Sequence, residues 1–179
     1  SLRLGRCRLA LAGAHSRANA LAAIAAARHA GVDPLQAIDA LAGFGGVRRR
    51  LEWRGEAGGV AVVDDFAHHP TAVATTLAGA RKHWPGRRIW GVFEPRSLTA
   101  GRADFLEPYF AALCEADAVA LAAPYHATRL SRPGAPGALD VGALVSRLCA
   151  GGHEAFSAPD PAALGEALLP RLVEGDVVV

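Results

Sequence analysis

Two short polar turns hold the residues best able to do chemistry. The first runs Asp64-Asp65-Phe66-Ala67-His68-His69-Pro70-Thr71 and the second Phe93-Glu94-Pro95-Arg96-Ser97. Paired carboxylates at a strand end can accept hydrogen bonds from ribose hydroxyls or hold a cation through water, and either one can equally cap the turn that follows. His69 precedes a proline and is biased towards extended backbone, where neighbouring side chains point apart. The two imidazoles therefore suit hydrogen bonds to an anionic ligand, or a helix-capping role, better than chelation of one metal. A His-Asp metal site drawing on Asp64 or Asp65 is the alternative. Arg96 offers a planar fork that suits a carboxylate or phosphate, a bond of about 1.5–3 kcal/mol, unless Glu94 or Asp104 holds it as an ion pair. Arg50 has the same double reading, as a phosphate contact or as the partner of Glu52. His15 and Asn19 straddle the start of a long helix, whose N-terminus tolerates anions and polar ligands.

Strands must carry these turns. Val60 to Val63 and Ile89 to Phe93 are apolar on both faces and rich in β-branched or aromatic residues, the pattern of buried strands in a parallel sheet. Ligands of open parallel sheets bind in the crevice beyond the carboxyl ends of the strands, so both turns are expected at one rim. Helices are expected over residues 17–30, from Pro34 to Gly43 behind an Asp33 cap, and over 71–84, 103–116, 141–149 and 161–172. Further strands are expected at Leu9 to Ala12, 118–122, 153–156 and 176–179, a glycine-looped hairpin joins residues 51–54 to 60–63 through Gly55 to Gly59, and residues 124–137 read as a long loop. The fold class that follows is α/β, a Rossmann-like, mainly parallel sheet with helices on both faces. Gly43-Phe44-Gly45-Gly46 is the natural linker, which sets residues 1–46 apart from 47–179.

Composition narrows the function classes. A net charge of +2 with 20% charged residues, and no clustered basic face beyond Arg48-Arg49-Arg50, does not suit a nucleic-acid binder. No run is long enough to span a bilayer, and three scattered cysteines without CxxC spacing signal neither disulfides nor zinc, which fits a cytoplasmic protein. Neither GxxxxGK[ST] nor GxGxxG occurs, so any nucleotide chemistry must borrow a phosphate-cradling loop. The absence of methionine, the start at Ser1 and the strand-like stop at Val179 make part of a longer chain the expectation.

In order, GAHSRANALAAIAAA, RRRLE, VDDFAHHPTA and FEPRSLT resemble the Mur ligase family of peptidoglycan synthesis, and the similarity covers nearly the whole chain. The resemblance implies that residues 1–46 end a central ATP-binding domain and that 47–179 form the C-terminal domain that receives the amine substrate. The sugar-nucleotide domain, the P-loop and the magnesium ligands would then lie upstream. It matches His15 and Asn19 to adenine contacts, Arg50 to the nucleotide phosphates and Asp65 to the ribose. His68, His69, Arg96, Ser97 and Thr99 match the loops around the incoming amine. Ser16 and Leu98 stand where the family usually has asparagine. DDFAHHPTA with FEPRS is most similar to the recycling branch of the family, which joins the murein tripeptide L-Ala-γ-D-Glu-meso-diaminopimelate to UDP-N-acetylmuramate with ATP and Mg2+. The L-alanine-adding branch is the nearest rival. A metal-dependent hydrolase built on Asp64, Asp65, His68 and His69, and a noncatalytic α/β binding module, are the rivals of other classes.

Overall fold

The computed structural model describes residues 5–9 and 13–179. Helix α1 spans Ala14–His29 and α2 spans Pro34–Ala42. The Asp33 carboxylate accepts from the Leu35 and Gln36 N–H groups, and Pro34 sits in the first turn, where a missing donor costs nothing. The two helices pack on each other, leaving Leu21 and Leu35 largely exposed. Residues 5–9 carry no regular structure, and the rest of the strand expected at Leu9 to Ala12 lies outside the described residues.

Strands β1 (Glu52–Ala57) and β2 (Val60–Asp64) form the hairpin, with a tighter turn than its glycines suggest. Gly58 and Gly59, at φ 57° and 76°, make a two-residue turn of the mirror-image kind that matches strand twist, so β1 runs on to Ala57. The register shifts between Trp53 and Gly55, where Gly55 takes φ 143° and absorbs one extra residue as a bulge.

Alternation of helix and strand follows: α3 (Pro70–His83), β3 (Ile89–Phe93), α4 (Leu106–Leu113), β4 (Ala118–Ala122), α5 (Ala127–Leu130), α6 (Val141–Ala150), β5 (Glu154–Ala158), α7 (Pro161–Leu168) and β6 (Val177–Val178). A 3₁₀ turn, Ala103–Phe105, opens α4, and another, Leu169–Arg171, ends α7. Pro170 lacks the N–H that would continue α7, which explains why the helix stops short of Leu172. The stretch expected as pure loop over 124–137 contains the single turn α5.

Among the described residues the strands form one sheet in the order β1-β2-β6-β3-β4-β5. All pairings are parallel except β1 with β2. Side-chain alternation divides the core in two. Val63, Ile89, Phe93, Val119, Leu121 and Val177 face α3, α4 and α6, meeting Leu77, Tyr109, Leu113, Leu144 and Leu148. Trp90, Ala118, Ala120 and Ala122 face α7, where Leu164 and Leu168 lie one turn apart. The small alanine face lets α7 approach closely, while each buried leucine of the other layer contributes about 2 kcal/mol.

Candidate functional site: two turns on one rim

β2, β6 and β3 run parallel, so the turns after β2 and β3 leave the sheet at the same rim, with β6 between them. Two strand spacings put them about 10 Å apart.

The first turn is built around Asp65, whose side chain is only 8% exposed. Its Oδ2 accepts from the Leu51 N–H at 2.8 Å and its Oδ1 from the Ala67 N–H at 2.8 Å, tying the entry of β1 to the exit of β2. This bond holds Leu51 at φ 46°, and nearby Arg49 at φ 57°, both in the left-handed region that side chains disfavour. Arg49 is pinned in turn: its N–H donates to Glu52 at 2.7 Å, its carbonyl accepts from the Phe66 N–H at 2.8 Å, and its Nε lies 3.3 Å from Asp64. The Arg49 backbone bond, aided by Arg54 and Arg48, holds the half-buried Glu52 carboxyl below its ordinary value. Glu52 therefore pairs with Arg49 and Arg54, not with Arg50. Arg50 instead stands 3.9 Å from Asp65, with its side chain 56% exposed.

The two histidines use Nδ1 in opposite senses. His68 donates from Nδ1 to the Phe66 carbonyl at 3.0 Å, whereas His69 accepts at Nδ1 from the Thr71 N–H at 3.3 Å and caps α3. The phenol of Tyr109, pushed above its usual range by burial, donates to the His68 carbonyl at 2.6 Å and supports the turn from below. Asp64, Asp65, His68 and His69 are thus engaged separately. Among the described residues no group of three or more His, Cys, Asp or Glu is gathered to hold a metal ion.

A cleft of about 1200 Å³ opens between α1, the hairpin and α3, lined by Asn19, Arg50, Trp53, Asp65, His69 and Thr75 among others. His15 lies in the first turn of α1, and its side chain is outside the described residues. The structure therefore brings Asn19, Arg50, Asp65 and His69 to one cleft, and sets His68, Arg96, Ser97 and Thr99 outside its lining.

The second turn presents Arg96, 72% exposed, with Nη1 3.4 Å from Glu94 and Cζ 5.0 Å from the centre of the Tyr125 ring. Ser97 does local work: its Oγ accepts from the Ala100 N–H at 3.0 Å, closing the loop, while Thr99 is exposed. Motif reading passed over Tyr125 and Trp53. Tyr125 could have been found by applying to β4 the strand-end rule used for β2 and β3; Trp53 gave no signal beyond an aromatic in an edge strand.

Among the described residues no helix is long and apolar enough to cross a membrane. Residues 49–179 match the family model for the Mur ligase, glutamate ligase domain. The chain is 40% identical over 178 residues to the UDP-N-acetylmuramate–L-alanine ligase of Myxococcus xanthus (strain DK1622), covering 98% of this chain and 36% of that protein. It is 49% identical over 125 residues to the UDP-N-acetylmuramate–L-alanyl-gamma-D-glutamyl-meso-2,6-diaminoheptandioate ligase of Escherichia coli (strain K12), covering 69% of this chain and 27% of that protein. Among solved structures, a murein peptide ligase from Psychrobacter arcticus 273-4 superposes with a TM-score of 0.68 at 30% identity, over 97% of this chain and 35% of that one. The chain spans about a third of the length of the Myxococcus relative, 36%. With its C-terminal 131 residues, 49–179, matched by the family's own domain, this chain belongs to the Mur ligase family.

Proposed function

We propose that this chain is the acceptor-binding portion of an ATP-dependent ligase that joins the tripeptide L-Ala-γ-D-Glu-meso-diaminopimelate to UDP-N-acetylmuramate in cytoplasmic peptidoglycan recycling. Residues 1–46 are assigned to the end of the ATP-binding domain and 47–179 to the acceptor domain. Leu21, Leu35 and Phe44, all more than 40% exposed, support the view that the first segment packs against a neighbouring domain.

The observation that carries the reading is Arg96: an exposed guanidinium at a strand end, beside the rim that holds the Asp65 turn, within a stretch 49% identical to a ligase named for the tripeptide. A tripeptide with several carboxylates gives that fork a partner while its free amine reaches towards the neighbouring domains. His68, His69, Ser97 and Thr99 are assigned with Arg96 to the acceptor loops.

The cleft suits a nucleotide. Arg50 is assigned to its phosphates, Asp65 to its ribose, and His15 and Asn19 to its base. Each Asp65 oxygen already accepts one backbone N–H and keeps a further lone pair for a hydroxyl. ATP with Mg2+ supplies activation of the muramyl carboxylate to an acyl phosphate, without which a carboxylate is too poor an acylating agent. This chain's own contribution is orientation: holding the amine in line and closing the cleft around the reactants.

A second reading, L-alanine as acceptor, is favoured by the 40% identity to the Myxococcus ligase across 98% of the chain. Offering tripeptide and free L-alanine in competition to the ligase assembled with its upstream domains decides between them. Preferential tripeptide incorporation supports the reading, and exclusive use of L-alanine overturns it. The 179-residue chain alone is expected to form no amide bond.

A further inference from the structure

The excursion between β4 and α6 clamps the Arg96 loop at both ends. At its start the Tyr125 N–H donates to the Pro95 carbonyl at 3.2 Å. At its end the Leu139 N–H donates to the Gly101 carbonyl at 2.7 Å, and the Ala103 N–H donates back to Gly137 at 3.1 Å. Packing between is tight enough that a Cβ at Gly101 would stand 2.8 Å from Leu130 and 3.3 Å from Pro124. Two loops so interlocked fix the Tyr125 backbone relative to the Arg96 loop.

Tyr125 is 61% exposed, so burial does not explain its place; its ring meets the Arg96 guanidinium at 5.0 Å and, in a T-shaped pair, the His126 ring at 4.9 Å. A guanidinium lying over an aromatic face uses its plane for that contact and keeps its N–H edge for in-plane bonds. Glu94 takes part of that edge at 3.4 Å, and with the side chain 72% exposed the remaining donors are open to solvent. An arginine as exposed as Arg96 would otherwise lose considerable side-chain freedom on meeting a ligand.

We propose that Tyr125 is a positioning residue for Arg96, holding the guanidinium ready for a carboxylate of the acceptor. This rests on Arg96 being the acceptor anchor, and the substrate named above can fail without it. The test is steady-state kinetics of the assembled ligase with the murein tripeptide and, separately, with free L-alanine. Tyr125→Ala and Tyr125→Leu are expected to raise the acceptor KM on the order of 5-fold with little change in kcat, while Tyr125→Phe matches the parent. Leucine keeps the bulk and lacks the π face, so a parent-like Tyr125→Leu would overturn the proposal. So would additive losses in Arg96→Ala combined with Tyr125→Ala, since a residue acting through Arg96 adds nothing once Arg96 is gone. Turnover of L-alanine alone would sink the substrate reading, yet the same variants read against the L-alanine KM still decide the role of Tyr125. Independently of activity, NMR order parameters of the Arg96 Nε–H group in the 179-residue chain are expected to fall in Tyr125→Ala and Tyr125→Leu and to hold in Tyr125→Phe; equal order in all three overturns the proposal.

Discussion

Arg88 grips Asp176 with two parallel bonds, Nε to Oδ1 at 2.9 Å and Nη2 to Oδ2 at 2.7 Å, at the rim of the sheet opposite the two turns. The carboxylate is 1% exposed and also accepts from Trp90 Nε1 at 3.2 Å and the Val173 N–H at 3.0 Å. Next to it Arg87 donates to the carbonyls of Gly59, Gly175 and Asp176. Three segments far apart in sequence are joined there around the start of β6.

Removing one partner of that pair should cost stability more than the pair's own contribution, because a charge loses its compensation. Arg88 is 34% exposed and can partly rehydrate, so Asp176→Ala is expected to destabilise by about 2–3 kcal/mol in urea titrations. A loss under about 0.5 kcal/mol would show that the network is incidental.

The same carboxylate predicts a pH dependence. Desolvation pushes the Asp176 carboxyl up, but the bonds from Arg88, Val173 and Trp90 outweigh it, leaving it below its ordinary value. A depressed acid contributes its stability in full above the unfolded value, about 4, and loses it as pH falls through the lower folded value. The gap in stability between parent and Asp176→Asn should therefore stay constant from pH 7 to about 5 and shrink only below about pH 4. A gap unchanged down to pH 2 would contradict this.

Asp65→Ala strips two backbone N–H groups of their acceptor and releases Leu51 from φ 46°. An expected loss of about 2–3 kcal/mol follows, with Asp65→Asn losing less because its amide oxygen still accepts. Thermal unfolding of both variants beside the parent measures the difference, and equal melting temperatures for all three would refute the staple role.

At the hairpin tip the two glycines should behave differently. Gly58, at φ 57° with open space around it, should accept asparagine within about 0.5 kcal/mol. A Cβ at Gly59, φ 76°, would stand 2.5 Å from the Glu174 side chain, so Gly59→Ala should cost about 1–2 kcal/mol by chemical denaturation.

Arg96→Ala should leave stability within about 0.5 kcal/mol, because the side chain is 72% exposed, and the anchoring role proposed for it predicts acceptor binding weakened roughly 10- to 100-fold in the assembled ligase, as measured by calorimetry. Unchanged affinity would remove Arg96 from the acceptor site.

Local chemistry was legible and non-local pairing was not. Strand β4 runs over Ala118–Ala122 as its apolar pattern predicts, and Asp33-Pro34 and His69-Pro70 begin helices where capping rules place them. The hairpin turn was misjudged because Gly55, Gly58 and Gly59 look alike in sequence while one makes a bulge and two make the turn. The insertion of β6 between β2 and β3 leaves no local mark, since parallel partners are chosen by packing over long separations. At the site, both turns were found by their position at strand ends. The Asp65 bond to the Ala67 N–H is the turn cap that the sequence offers, whereas its bond to the Leu51 N–H left no mark, because it depends on Leu51 adopting a conformation leucine seldom takes.

The central place of β6 bears on biosynthesis. Residues emerge from the ribosome in order, yet Val177 and Val178 supply the only strand pairing between the β1-β2 ribbon and the β3-β4-β5 block among the described residues. Until they arrive, two apolar strand edges lie open side by side, the kind of surface that recruits chaperones or invites misassociation. Completion of the layer is thus a late event, and a nascent chain halted before residue 177 would hold two blocks of strands not yet paired with each other.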